Sequence, residues 1–436
     1  MRFLGVTETC DLAALYLRLQ EEGHEVRVAI EEPLAQRTLA GLVPRMSDWR
    51  AELSWIREAG ADGVIVFEAV SDGFGALQDE LRRDGFQVIG GTEYGDRLEN
   101  DRAFAQSVLA ELGFPSGHVW EFTSAAEAEA FIAARPARYV LKFSGTGYSS
   151  GDNYVGRMAD GRDVRAMIAR KLSDPDFAGA RFILMEHIDG VEMGVGAYFD
   201  GEDFLLPACL DWEHKRFFAG DMGELTGEMG TVVTYDRTQR FFEMTLARVA
   251  PYLRGRNHTG YVNLNTIVNE RGIWPLEFTC RFGYPGYAIL APLQETGWAE
   301  LFRMMLRRSA AWFPTRPGFC TGVVLTTPPF PYSRKDVAAP VGLPVFINED
   351  LSVEDRRNLH FGEIGMADGQ LVTSGLYGWT MVVTGTGPDV ATSQREAYAR
   401  AGRVFTPDVR YRLDIGDRLA GEDLLRLERL GLLDPV

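Results

Sequence analysis

Apolar residues in the first ninety positions come in short runs separated by amphipathic stretches. Arg2 to Thr7, Val26 to Ile30, Val64 to Phe67 and Gln87 to Ile89 read as strands. Asp11 to Glu22, with Leu12, Leu15 and Leu19 on one side and Gly23 as a stop, reads as a helix, as do Trp49 to Glu58 and Ala76 to Arg83. This alternation predicts a parallel sheet covered on both faces, whose ligands bind beyond the carboxyl ends of the strands. The first such loop, Gly5-Val6-Thr7-Glu8-Thr9-Cys10, lacks the three-glycine dinucleotide fingerprint and gives no support to a nicotinamide enzyme.

Beyond Gly90-Gly91 the pattern predicts one helix from Arg97 to Leu112, ended by Gly113-Phe114-Pro115. The strand Tyr139 to Phe143 carries Lys142 and runs into Ser144-Gly145-Thr146-Gly147-Tyr148-Ser149-Ser150-Gly151. Glycines among hydroxyl residues suit backbone amides gathered round phosphate oxygens; a surface hairpin loop is the other reading. After a helix from Val164 to Lys171, the strand Phe182 to Glu186 precedes a meander. Trp212-Glu213-His214-Lys215-Arg216 then clusters basic groups that either solvate a turn or meet an anion. A helix from Gln239 to Ala250 follows, and the hairpin Tyr261–Asn265, Trp274–Gly283 turns at Asn269-Glu270-Arg271-Gly272. Residues two apart on a strand share a face, so Glu277, Thr279 and Arg281 point one way, with Asn263 and Asn265 on the preceding strand. Such a face either meets solvent or holds a divalent metal beside a phosphorylated intermediate. A last helix is predicted from Val390 to Arg403.

Composition narrows the classes. The 436 residues suggest two to four domains, and 45 basic against 62 acidic residues give a formal charge of −17, adverse to nucleic acid and to anionic membranes. Trp49, Trp55, Trp120 and Trp379 are isolated and read as packing residues rather than a stacking platform for bases. The four cysteines, Cys10, Cys209, Cys280 and Cys320, form neither a disulfide framework nor a paired zinc motif, which points to a reducing compartment. With no signal-peptide core and no apolar stretch of bilayer-spanning length, a cytoplasmic protein is expected.

Taken in order, the motifs resemble those of ATP-grasp ligases, and specifically of glycinamide ribonucleotide synthetase. They are Leu98-Glu99-Asn100-Asp101-Arg102-Ala103-Phe104, Lys142 with its glycine loop, and Glu186-His187-Ile188-Asp189-Gly190-Val191-Glu192. Asp211 to Arg216, Thr226-Gly227-Glu228-Met229-Gly230 and Glu277-Phe278-Thr279-Cys280-Arg281-Phe282-Gly283 follow, with Arg395 to Ala399 and Tyr411 to Gly416 near the end. The resemblance implies a multidomain α/β and α+β chain. An N-terminal parallel-sheet domain would span residues 1–91. An ATP-grasp domain would follow over 92–317, with a lid at about 115–187, and a small mixed α/β synthetase-like domain over 318–436.

The same resemblance implies the site. Lys142 and Arg102 would meet the ATP phosphates, and the loop bearing Ser144, Gly145, Gly147, Ser149 and Ser150 would close over them. Glu186, His187 and Ile188 would border adenine, and Glu192 would take the ribose hydroxyls. Glu277, with Asn263 and Thr279, would hold magnesium, or manganese in its place, while Arg281 and Lys215 would steady the transferred phosphate or an acyl phosphate. The implied reaction is ADP-forming ligation of a small carboxylate, such as an amino acid, to an amine. Its partners are therefore small-molecule carboxylate and amine substrates, with no nucleic acid and no membrane, for a monomer or homodimer.

Several positions depart from the family pattern. Thr7-Glu8-Thr9-Cys10-Asp11 stands where a glycine-rich turn and Arg-Glu-His are usual, and Thr279 replaces the metal-binding Asn. Tyr284 and Gly286 replace two acids, and Ser150-Gly151-Asp152 replaces Gly-Lys-Gly. A divergent ligase is the main expectation. A genuine phosphoribosylamine–glycine ligase and an ATP-binding pseudoenzyme or regulatory protein are the alternatives.

Overall fold

The first strand, Arg2–Thr7, is buried from Phe3 onward and pairs in parallel with Glu25–Ile30 on one side and Gly63–Phe67 on the other. Arg45–Met46 and Gln87–Ile89 complete a five-stranded parallel sheet, as the alternating pattern predicts. Gly5 is required in that first strand by close approach, because a Cβ there would lie 2.4 Å from the ring of Tyr16 on the following helix, Ala13–Glu21. The computed structural model describes residues 1–68, 73–144, 153–177 and 179–435. Two compact units emerge, one of Met1–Val108, Glu192–Thr266 and Leu276–Val436, the other of Leu109–Val191 and Ile267–Pro275.

Most of the main sheet of eight strands belongs to the larger unit. In spatial order these are Gly272–Thr279, Thr259–Asn269, Val191–Asp200, Phe204–Glu213, Gly230–Thr234, Phe319–Thr326, Trp379–Gly387 and Leu359–Phe361. The strands Phe319–Thr326 and Trp379–Gly387 come from the last third of the chain. They continue the same sheet by antiparallel pairing, Val232 opposite Thr321 and Val323 opposite Val383. One apolar core joins the parallel sheet to this one, through Phe3 and Tyr16 with Tyr198, Phe282, Phe302 and Phe313, each at most 2% exposed. Removing such large apolar faces from water is the main force holding these layers together, at roughly 25 cal/mol per Å².

The smaller unit has its own sheet, ordered Val119–Phe122, Arg181–Glu186, Tyr139–Ser144 and Tyr154–Val155, with the helices Ala125–Ala134 and Arg162–Leu172. Ile132, Leu141, Ile168 and Leu184 form its core. Among the described residues, no helix is long and apolar enough to cross a membrane.

Two predicted helices are broken. The stretch expected to run from Arg97 to Leu112 is two helices, Glu93–Asn100 and Arg102–Glu111. Asp101 between them is extended, and its carboxylate accepts from the Phe104 N–H, capping the second helix. The stretch from Gln239 to Ala250 is likewise interrupted at Thr245, which leaves helical geometry. The Trp49 to Glu58 stretch begins as a 3₁₀ turn capped by Asp48 before its helix at Leu53–Glu58.

Candidate active site

Strand alternation sets the floor of the site. On Phe204–Glu213, Asp211 and Glu213 project to one face, and Lys215 follows in the same rhythm just past the strand end. Asp211 has room because residue 194, opposite it in the antiparallel register, is glycine: a Cβ there would fall 2.2 Å from Asp211 Oδ1. Beyond Val191–Asp200 in the same sheet, Thr259–Asn269 adds Asn263 and Asn265, and Gly272–Thr279 adds Glu277.

Their polar groups interlock. Lys215 Nζ lies 3.0 Å from Glu277 Oε1 and 3.2 Å from carboxylate oxygens of both Glu192 and Glu213. Asn263 donates to Asp211 Oδ2 at 2.6 Å, and Asn265 donates to Glu192 Oε1 at 3.1 Å. Burial opposes the charged form of Lys215, but Glu213, Glu192 and Glu277 outweigh it and hold its ammonium well above the ordinary lysine value. Burial, with Glu213 next, pushes the Asp211 carboxyl up. Glu228 is also pushed up, first by burial and then by Glu213 and Asp211.

These groups open onto a cavity of about 370 Å³ that lies within the larger unit. Its far wall is the carboxyl end of the parallel sheet, Thr7, Glu8, Thr9, Asp11 and Glu68, where the fold class places ligands. Thr279 and Arg281 share a wall with Tyr284 and Trp379, whose rings stack at 4.7 Å. Arg281 Nε donates to Glu99 at 3.0 Å, and the other oxygen of Glu99 accepts the Cys280 N–H at 2.8 Å, so Glu99 fixes the end of the Glu277 strand.

Glu68 accepts from the Leu12 N–H at 2.6 Å and from the Tyr16 hydroxyl at 2.7 Å. Burial and then the Asp11 charge nevertheless push its carboxyl up from near 4.5 to about 8. The folded protein therefore retains a proton that the unfolded chain releases, and stability falls as pH rises through that window. Glu68→Gln is expected to flatten the fall, measured by urea unfolding from about pH 5 to about pH 8. An equally steep profile in the variant would show that Glu68 does not carry that proton.

The candidates singled out in the sequence divide between the two units. Glu192, Lys215, Asn263, Glu277, Thr279 and Arg281 lie in the larger unit, all but Glu192 as cavity wall. Arg102 begins the helix Arg102–Glu111 of the same unit. Lys142 sits mid-strand in the smaller unit, opposite Ile183. Glu186 ends its strand there with Arg271 Nη1 at 3.0 Å, followed by His187, whose imidazole burial pulls below the ordinary histidine value, and Ile188. Ser144 ends the Tyr139–Ser144 strand; its side chain and Gly145, Gly147, Ser149 and Ser150 lie outside the described residues.

Sequence reading did not single out Glu8, Asp11, Glu68, Glu99 and Glu228 as site residues, and it took Trp379 only as a packing residue. Asp211 and Glu213 carried a usable signal, two acids and Lys215 spaced by two at a strand end. Glu68 had none, because it reaches the cavity from a strand end distant in sequence, whereas Glu228 stood inside the Thr226–Gly230 motif with no role of its own assigned.

Residues 100–287 match the family described as the ATP-grasp (A) domain of phosphoribosylglycinamide synthetase. The phosphoribosylamine–glycine ligase of Neisseria meningitidis serogroup B is 27% identical over 359 residues, covering 78% of this chain and 81% of that protein. The Pseudomonas aeruginosa ligase of the same name is 29% identical over 359 residues, covering 78% and 79%. Among solved structures, the phosphoribosylamine–glycine ligase of Thermotoga maritima superposes with a TM-score of 0.69 at 20% identity, covering 95% of this chain and 100% of that one. The biotin carboxylase subunit of pyruvate carboxylase gives 0.56 at 11% identity, covering 100% and 99%.

Proposed function

We propose, for a chain that is an ADP-forming carbon–nitrogen ligase of the ATP-grasp type, that it joins a small carboxylate to an amine through an acyl phosphate. The observation that carries this reading is the convergence of Lys215, Glu277 and Arg281 on one cavity. In the first half-reaction a carboxylate oxygen attacks the γ-phosphorus of ATP, the bond to the β-phosphate oxygen breaks, and ADP leaves. In the second, the amine nitrogen attacks the acyl carbon, the bond from that carbon to the phosphate oxygen breaks, and inorganic phosphate departs. An ammonium gives up two protons on the way to the amide.

Arg281 and Lys215 face the negative charge that develops on the transferred group, and fixed cations in a water-poor site are effective at that task. The oxygens of Glu277, Asn263 and Asp211 suit a hard divalent cation, and Thr279 adds a hydroxyl. The buried Asp211 Oδ1 has no hydrogen-bond partner, as expected of an oxygen that meets a cation. Magnesium bound there would neutralise charge on the triphosphate. Within the larger unit, the family resemblance implies Arg102 for the triphosphate and Glu192 for the ribose.

ADP release from magnesium-ATP with a panel of carboxylates, with hydroxylamine present, tests the reading. Carboxylate-dependent ADP with matching hydroxamate is expected; ATP binding with no hydroxamate from any acid would overturn it in favour of a nucleotide-binding protein without turnover. The relatives' names favour one specific version, ligation of glycine to phosphoribosylamine. That version requires glycine hydroxamate from the trap and amide formation with phosphoribosylamine as the amine.

A further inference from the structure

The loop that brings Trp379 to the cavity is held by one buried side chain that is not itself part of the cavity wall. Glu363 stands between the strands Leu359–Phe361 and Ile364–Ala367 and is 4% exposed. Its carboxylate accepts from four successive backbone N–H groups. Oε1 takes those of Leu376 at 2.7 Å and Tyr377 at 3.0 Å, and Oε2 takes those of Gly378 and Trp379, the latter at 3.0 Å. Successive N–H groups that converge in this way form a concavity for an anion, and here the protein's own carboxylate fills it.

The carbonyls of the same loop are met by other groups. The Arg334 guanidinium donates to the Gly375 carbonyl, and the Arg334 N–H donates to that of Leu376 at 2.9 Å. The Thr327 N–H reaches the Gly378 carbonyl at 2.9 Å, and the Glu363 N–H reaches that of Trp379 at 2.6 Å. The Glu363 side chain therefore serves the donors of the loop, and its acceptors are served separately. Gly375 lets the backbone wrap this closely, with φ at +81° and a Cβ that would fall 2.1 Å from Glu363 Cδ.

What the carboxylate holds is an aromatic wall. Trp379 stacks on Tyr284 at 4.7 Å and packs against Tyr377 and Phe330 at 5.4 and 5.9 Å. Gly227 leaves the indole its place, since a Cβ there would lie 3.2 Å from the ring, and Trp379, Tyr284 and Gly227 all line the cavity. A Cβ on Gly362 would lie 2.4 Å from the Trp379 carbonyl and 3.1 Å from Tyr284 Oη, so the turn bearing Glu363 lies against both members of the stack.

We infer that Glu363 is a positioning residue for substrate: by binding the N–H groups of residues 376–379, its carboxylate sets where the Trp379–Tyr284 pair stands, and with it the room left in the cavity for the acid or the amine. The inference rests on the ligation reading above for what occupies the cavity, and adds to it a residue that acts only through Trp379. Glutamine in its place keeps one acceptor oxygen, but its NH2 group cannot accept from the N–H groups it would face, so the loop must shift to pair them.

The test uses the full-length protein labelled with 5-fluorotryptophan at about pH 8, above the value of about 7 to which burial pushes the Glu363 carboxyl. Trp379→Phe identifies the fluorine signal of residue 379. Glu363→Gln is expected to shift that signal and leave the other tryptophan signals in place, and Glu363→Asp, which keeps both acceptor oxygens, to shift it less. With hydroxylamine as the amine, the KM for the acid or for hydroxylamine should rise about tenfold in Glu363→Gln, while the KM for magnesium-ATP stays within about twofold. Trp379→Ala should raise the same KM. A purely structural role would lower the fraction of active protein, and so the apparent kcat, with every KM unmoved. An unmoved signal of residue 379 in Glu363→Gln, or unmoved KM values, would overturn the inference; if that variant does not fold, Glu363→Asp carries the fluorine test and Trp379→Ala the kinetic one. The fluorine signal needs no turnover, so the positioning of Trp379 and the ligation reading can fail separately.

Discussion

Lys215→Met is expected to destabilise the protein by about 2–3 kcal/mol and to lower ADP formation by about a hundredfold. Lys215 is the cation within reach of Glu192, Glu213 and Glu277, and its side chain is 24% exposed. Its removal leaves Asp211, Glu213 and Glu228, all already pushed up by burial, without that positive neighbour. Breaking a buried charge set from one side costs more than never having built it, because the remaining charges stay desolvated; the partial exposure of Lys215 keeps the figure at the lower end. The loss should be greater at about pH 8 than at about pH 5, where protons relieve the carboxylates. Lys215→Arg, which keeps the charge, should recover most of the stability but less of the activity, since a planar fork cannot occupy three directions as an ammonium does. Urea unfolding of both variants at the two pH values, beside ADP release, checks this. A Lys215→Met protein as stable as the parent at both would show that the carboxylates are neutral without it.

Glu277→Gln is expected to act on activity alone, lowering magnesium-dependent ADP formation by about 10²–10³-fold with stability within about 0.5 kcal/mol of the parent. Its side chain is 59% exposed, so no desolvated group is stranded by the change, and one negative charge is lost from a crowded set. The glutamine keeps the size and one oxygen but not the charge that a hard cation requires. A rightward shift of the magnesium titration should accompany the lower rate. Unchanged turnover with an unchanged magnesium titration would remove Glu277 from the proposed metal role. The two variants together separate the functions of neighbouring groups, Lys215 holding the acidic floor together and Glu277 meeting what binds above it.

Much of the architecture was legible in periodicity. The strands Arg2–Thr7, Glu25–Ile30 and Gly63–Phe67 are short apolar runs bounded by polar turns, and their alternation with helices leads directly to a parallel sheet. The shared face of Glu277, Thr279 and Arg281 follows from the two-residue repeat, and all three line the cavity while Phe278 is buried. The break at Asp101 was missed because the apolar pattern runs on through it. Only the side chain's choice of the Phe104 N–H as partner makes it a cap rather than a helical residue.

The sequence by itself determined the fold class, the order of the motifs and the strand faces, because each depends on residues near one another in the chain. The tertiary structure decided what shares the cavity. Thr7 to Asp11 from the first loop, Glu68 from the fourth strand's end, Glu228 and Trp379 reach one space from segments far apart in sequence. The last third of the chain supplies two strands to the same sheet as Gly230–Thr234. No local pattern encodes such meetings, since they depend on which apolar faces bury against each other. Burial in turn sets the carboxyls of Glu68, Asp211 and Glu228 above their ordinary values, and with them how many protons the site keeps at a given pH.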